Sequence, residues 1–194
     1  MAKTAVTQYP ILGPIAERWS PRAFDDRPVA EQDLTALFEA ARWAASAFNA
    51  QPWRFVYAAR TEPAFETLLA CLRDTNQSWA RHAAVLVIAA AKTTHEDGSP
   101  NGHAIHDLGQ AMATLAIEAT ARGIHVHQMA GFYPDKARAL LGVPDGYEPK
   151  TAAAIGYLGD RSRLSDKLRE REAAPRQRKP LEELAFRGAW PKRG

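Results

Sequence analysis

One cysteine, Cys71, occurs in the 194 residues of this chain, so an internal disulfide is excluded. The apolar stretch around it marks the thiol as an inert core group suited to a reducing cytoplasm. Long apolar runs are also missing. The longest, Ala83 to Ala91, is too short to span a bilayer, which argues against a membrane as partner. The opening MAKTAVTQYP has no apolar run behind its lysine, so it reads as neither a signal nor a transit peptide, and a cytoplasmic location is expected. Fixed-period repeats and low-complexity tracts are absent, which removes solenoids and disordered arms. No shift in composition divides the sequence, and its length suffices for a sizeable core, so residues 1–194 are expected to form one domain.

Charge of one sign is scarce in the body of the chain. The net charge is +3, yet residues 161–194 hold eleven Lys or Arg against five Asp or Glu, so the basicity belongs to the tail. That tail lacks the spaced aromatics of a base-stacking platform, and no helix-turn-helix or zinc pattern precedes it, so nucleic acid is not expected as a partner. His95, His103 and His106 lie close together but match no zinc spacing and have no cysteine beside them, so no metal site is expected.

What the sequence does have is concentrated between Arg18 and Phe55. Arg18, Ser20 and Arg22 alternate, and in an extended segment alternate side chains point one way. Two planar guanidinium forks and a hydroxyl on one side suit a phosphate, with a solvated surface turn as the competing reading. Leu34, Leu37, Phe38 and Ala41 follow the spacing of a helix with one buried face, expected over 31–44, with Glu31 and Asp33 suited to the dipole of its first turn. It gives way to Ser46-Ala47-Phe48-Asn49-Ala50-Gln51-Pro52-Trp53, where the amides of Asn49 and Gln51 offer donor and acceptor to the edge of a planar heterocycle. A strand begins at Phe55.

Further along, Phe65, Leu68, Leu69 and Leu72 share a helical face over 64–72, and Asp74-Thr75-Asn76 is expected to break it as a turn. Val85-Leu86-Val87-Ile88 has the unbroken apolar character of a strand covered on both faces. Leu108, Ala111, Met112, Leu115 and Ala119 form one stripe of a helix that Asp107 opens, as N-cap or first-turn residue, and Gly123 ends. His125 and His127 share one face of the strand that follows, open to an acid/base or ligand role or to burial with a hydrogen bond. A short helix over 134–141, a strand over 151–157 and a charged helix over 165–172 complete the pattern.

Taken as one ordered string, Arg-x-Ser-x-Arg, a helix ending in Glu-Ala-Ala-Arg-Trp-Ala, and Ser-Ala-x-Asn-x-Gln-Pro-Trp-x-Phe closely resembles the nitroreductase family of FMN-dependent oxidoreductases. The resemblance extends to Arg176-Gln177-Arg178-Lys179-Pro180-Leu181-Glu182-Glu183, similar to the family's C-terminal phosphate anchor; an ordinary basic surface is the alternative. It implies an α+β fold, a three-layer sandwich with a mostly antiparallel central sheet flanked by helices, in an intertwined homodimer. It also implies an FMN site formed by Arg18, Trp19, Ser20, Arg22, Asn76, Met129, Ala130, Gly131, Arg178 and Lys179, completed by Ser46, Ala47, Asn49 and Gln51, with the 46–51 loop reaching the flavin of the other subunit.

By the same resemblance, Arg18 and Arg178 neutralise the FMN phosphate with help from Ser20 and Lys179. Arg22 lies near N1 and O2, where negative charge collects on reduction. For Asn76, a turn or capping role is the alternative to a flavin contact. Ala130 stands where many relatives carry glutamate, and Ala45 where many carry proline. The implied activity is a ping-pong cycle in which NADH or NADPH delivers hydride to FMN and a small electron-poor acceptor, a nitroaromatic or quinone, receives it; no side chain is assigned as a catalytic acid or base. The tail PLEELAFRGAW is also similar to the flavin-destructase branch, the fold serves reductive dehalogenases, and a non-catalytic flavin carrier is a further alternative.

Overall fold

Four strands and seven α-helices form among residues 3–191, which the computed structural model describes. The strands β1 (Trp53–Ala59), β2 (Val85–Lys92), β3 (His125–Met129) and β4 (Tyr147–Gly156) lie in the order β1-β2-β4-β3, every pairing antiparallel. β2 is central. Its alternating side chains explain its unbroken apolar run: Val85, Val87, Ala89 and Ala91 enter one core cluster, whereas Leu86 and Ile88 enter another on the opposite face.

Helices cover both faces. On the first lie α2 (Glu31–Arg42) and α5 (Ala104–Ala121), whose stripe of Leu108, Ala111, Met112, Leu115 and Ala119 packs with Leu34 and Leu37. Truncating a buried leucine such as Leu115 to alanine costs about 2–5 kcal/mol, so this face is a principal source of stability. On the second lie α3 (Ala64–Ala70), α4 (Asp74–Ala80) and α6 (Pro134–Leu141), contributing Phe65, Leu68, Leu69, Trp79 and Ala137. This is the α+β three-layer sandwich expected from the sequence. Gly123 follows α5 with φ 72°, the left-handed position that its place at the helix end foretold, and Gly142 ends α6 the same way with φ 63°.

The short helix α1 (Gly13–Glu17) precedes the Arg18 segment, and α7 (Asp166–Ala173) precedes the basic segment from Arg176 to Lys179. One expectation needs correction. Asp74-Thr75-Asn76 is not a turn that ends helical structure; Asp74 opens α4, where its charge suits the first turn, and Asn76 sits inside the helix. Of the two roles open to Asp107, the first-turn one holds. It is buried in the first turn of α5, and its Oδ2 accepts the N–H of Ala47, at 3.0 Å, tying the 46–51 loop to the core.

Candidate functional site

The stretch from Arg18 to Ala23 alternates as the sequence foretells: Trp19, Pro21 and Ala23 are buried, and Arg18, Ser20 and Arg22 are half-buried. Two buried side chains hold its main chain. His127 Nδ1–H donates to the carbonyl of Pro21 at 2.8 Å, and the carboxylate of Glu172 accepts the N–H groups of Arg22, at 2.9 and 3.1 Å, and Ala23, at 3.2 Å. Neither bond was foreseen. The sequence gives Glu172 only as a member of a charged helix, and no local pattern distinguishes it from its exposed neighbours.

Both histidines of β3 back this segment. His127 is 8% exposed and its ring lies 4.6 Å from that of Trp79; burial above all pushes its pKa down to about 4, with the Arg22 charge adding to the effect and the bond to Pro21 opposing it. His125 is half-buried edge-on to Trp19, at 6.1 Å, and burial lowers its pKa as well. Of the two readings open for this pair, burial with a hydrogen bond holds for His127. The indole of Trp19 is itself packed inward, so any cofactor contact from Trp19 is through its main chain.

A groove of about 970 Å³ runs between the two ends of the chain, lined by Arg18, Arg176, Arg178 and Lys179 together with Tyr9, Ile11, Ile15, Leu181 and Leu184. No carboxylate is among its lining residues. Arg18 is pulled to a lower pKa by burial and by the Arg178 charge, and Arg176 by burial and by Arg18 and Arg178; the cations crowd one another. Arg176 also donates to the carbonyls of Lys3, at 2.7 Å, and Ala16, at 2.5 Å, locking the tail onto the N-terminal arm. Clustered guanidinium groups against an apolar wall form a site for an anion carried on a larger, partly apolar molecule.

Other residues expected at the site gather elsewhere. Asn76 Nδ2 donates to the Gly131 carbonyl at 2.9 Å, and a Cβ on Gly131 would lie 2.5 Å from that nitrogen, so the close approach requires glycine. The Met129 side chain belongs to the core, whereas Ala130 is exposed. Ser46, Ala47, Asn49 and Gln51 do not line the groove within one chain, nor do Ser20, Arg22, Asn76 or Gly131. The 46–51 loop is instead strained and outward-facing: Phe48, Asn49 and Gln51 have φ of 51°, 55° and 46°, and Phe48 is 99% exposed. Ser46 Oγ accepts the N–H of Gln51, at 3.1 Å, closing the loop.

The fold and this groove define an α+β protein with a cationic groove assembled from residues near both ends of its chain. Comparison with known proteins gives the same class a family. The profile of the nitroreductase family matches residues 15–72 and 58–157, and the chain belongs to that family. An uncharacterized 15.4 kDa protein of Mycolicibacterium smegmatis is 40% identical over 124 residues, 64% of this chain and 83% of the relative. A protein of Ralstonia nicotianae named as an NADH dehydrogenase/NAD(P)H nitroreductase is 29% identical over 159 residues, 72% and 80% of the two chains. A crystal structure described as an oxidoreductase containing FMN superposes with a TM-score of 0.93 at 37% identity, covering 97% of each chain.

Proposed function

We propose that the chain is an FMN-dependent oxidoreductase fed by NAD(P)H, and that the groove between its two ends holds the phosphate of the cofactor. The observation that carries this reading is the meeting of Arg18 with Arg176 and Arg178, from opposite ends of the sequence, in a groove with no carboxylate among its described lining residues; Lys179 lines the same groove, with Glu183 Oε2 3.7 Å from its Nζ. Mutually repelling cations in one place are stabilised by an anion between them. Each charge-assisted hydrogen bond to the phosphate contributes roughly 1.5–3 kcal/mol. Ser20, two residues after Arg18 and half-buried beside it though outside the groove lining, would add a hydroxyl donor.

Bound FMN would supply hydride-transfer chemistry between NAD(P)H and an electron-poor acceptor such as a nitroaromatic or quinone. The residues of this chain bind, orient and bias it. Arg22, fixed through its main chain by Glu172, would set a cation beside FMN and favour its reduced, more negative form. Asn76 spends one amide hydrogen on Gly131, so its oxygen would be left to accept from the cofactor, and the missing side chain at Gly131 would let main chain approach it. The main chains of Trp19, Met129 and Ala130 line the same approach. Hydride transfer needs no protein acid at the carbon centre, so positioning is the protein's chief contribution.

Within one chain the 46–51 loop stays outside the groove, exposed and strained. Its Ser46, Ala47, Asn49 and Gln51 serve the site of a second copy, so the active form is a homodimer. No helix among the described residues is long and apolar enough to cross a membrane. Residues 1–194 act as one flavin-binding unit in the cytoplasm. The deciding experiment is the visible spectrum of the purified protein before and after anaerobic NADH and, separately, NADPH. Bleaching of bound flavin by either donor supports the oxidoreductase and identifies its electron source. Flavin that stays oxidised with both would leave a carrier or a flavin-consuming enzyme, and failure to bind added FMN would refute the reading.

A further inference from the structure

Helix α7 is charged along its length, with Asp166, Lys167, Arg169, Glu170 and Arg171, yet one of its residues, Glu172, is 1% exposed. Burying a carboxylate is costly unless donors replace the lost water. Here the donors are the main-chain N–H groups of Arg22 and Ala23, which would otherwise go unpaired where Ala23 is buried. The segment is therefore gripped from two sides. His127 holds Pro21 from the sheet, a rigid part of the core, and Glu172 holds the next two residues from the tail.

The position of Glu172 in the chain makes this grip more than local. Three residues after α7 ends comes Arg176, followed by Arg178 and Lys179 of the groove, so fixing Glu172 against Arg22 also fixes where the tail's cations stand relative to Arg18. Its charge matters too. Glu172 counters the effect of burial on the Arg22 guanidinium, and Lys3 nearby feels Glu172 together with Arg161, Arg176 and Arg22. The carboxylate thus offsets positive charge beside the residue that faces the developing charge on the ring.

We propose that Glu172 is a positioning residue for the flavin site: it clamps the Arg18–Ala23 segment to the C-terminal tail and sets the charge balance around Arg22. The proposal rests on the FMN reading above. In the full-length protein, Glu172→Gln should raise the Kd for FMN by about tenfold or more, because even with its oxygen on the Arg22 and Ala23 N–H groups it sets an amide N–H₂ in place of the second oxygen that accepts from Arg22. It should also raise the midpoint potential of bound FMN, because the anion offsetting Arg22 is gone. Glu172→Asp keeps the charge and shortens the reach, so it should weaken FMN binding while holding the potential at the wild-type value. A Gln variant with wild-type Kd and potential would overturn the proposal, as would one that only loses thermal stability without a change in either. Should the Gln variant not fold, wild-type FMN affinity in the Asp variant would overturn the clamp. Wild-type protein that binds no FMN would instead refute the functional reading, a result distinguishable from failure at Glu172 alone.

Discussion

Lowering the pH should weaken the grip on the Arg18–Ala23 segment through one residue, His127. In the unfolded chain its imidazole takes up a proton below about pH 6.5; in the folded protein burial delays this to about pH 4. Between these values the unfolded state binds more protons, so folding stability falls as the pH drops from 6.5 and levels off below 4. At about 1.4 kcal/mol per tenfold change in proton affinity, the difference corresponds to roughly 3 kcal/mol when fully expressed. The assay is urea unfolding at pH 7.5, 5.5 and 4.5 at fixed flavin content, comparing wild type with His127→Gln, whose amide can still donate to the Pro21 carbonyl. Other titrating groups contribute equally to both proteins. The wild type should lose about 2–3 kcal/mol more than the variant between pH 7.5 and 4.5. Parallel pH profiles would refute the account of His127 as a neutral buried donor.

Two further outcomes follow from the site. Arg18→Ala should weaken FMN binding about tenfold or more, from the loss of a charge-assisted bond of roughly 1.5–3 kcal/mol, and fluorescence titration with FMN checks it; unchanged occupancy would remove Arg18 from the phosphate site. Gly131→Ala should push the Asn76 amide off the Gly131 carbonyl, since the new methyl meets Nδ2 at 2.5 Å, and should weaken flavin binding while leaving the sheet intact by circular dichroism. A variant with wild-type flavin affinity would show that the Asn76–Gly131 contact has no bearing on the site.

Periodicity and composition determined most of the fold. The apolar run of β2, the stripe of α5 and the glycine after α6 are local patterns, and each formed the element that its spacing implies. The alternation of Arg18, Ser20 and Arg22 was equally legible, because strand geometry is written residue by residue. The resemblance carried by that motif and by Arg178-Lys179 foretold the family to which the chain belongs. Local reasoning failed where a side chain serves a distant part of the chain. Asp74 has the composition of a turn former but in the fold opens a helix, and Asp107, in the first turn as its place implied, also anchors the loop at Ala47, a partner that no local pattern names.

Glu172 and His127 show the boundary most clearly. In sequence they are one charged residue of a charged helix and one histidine of an alternating strand. Only the packing of α7 and β3 against opposite sides of one extended segment turns them into the acceptor and donor that fix its main chain. The same holds for the groove. The cations were visible in the sequence, but that Arg18 and Arg178 crowd each other without a carboxylate between them is a property of how the two chain ends meet. Local spacing sets which face a residue occupies, whereas burial and hydrogen-bond satisfaction depend on what the rest of the chain brings to that face.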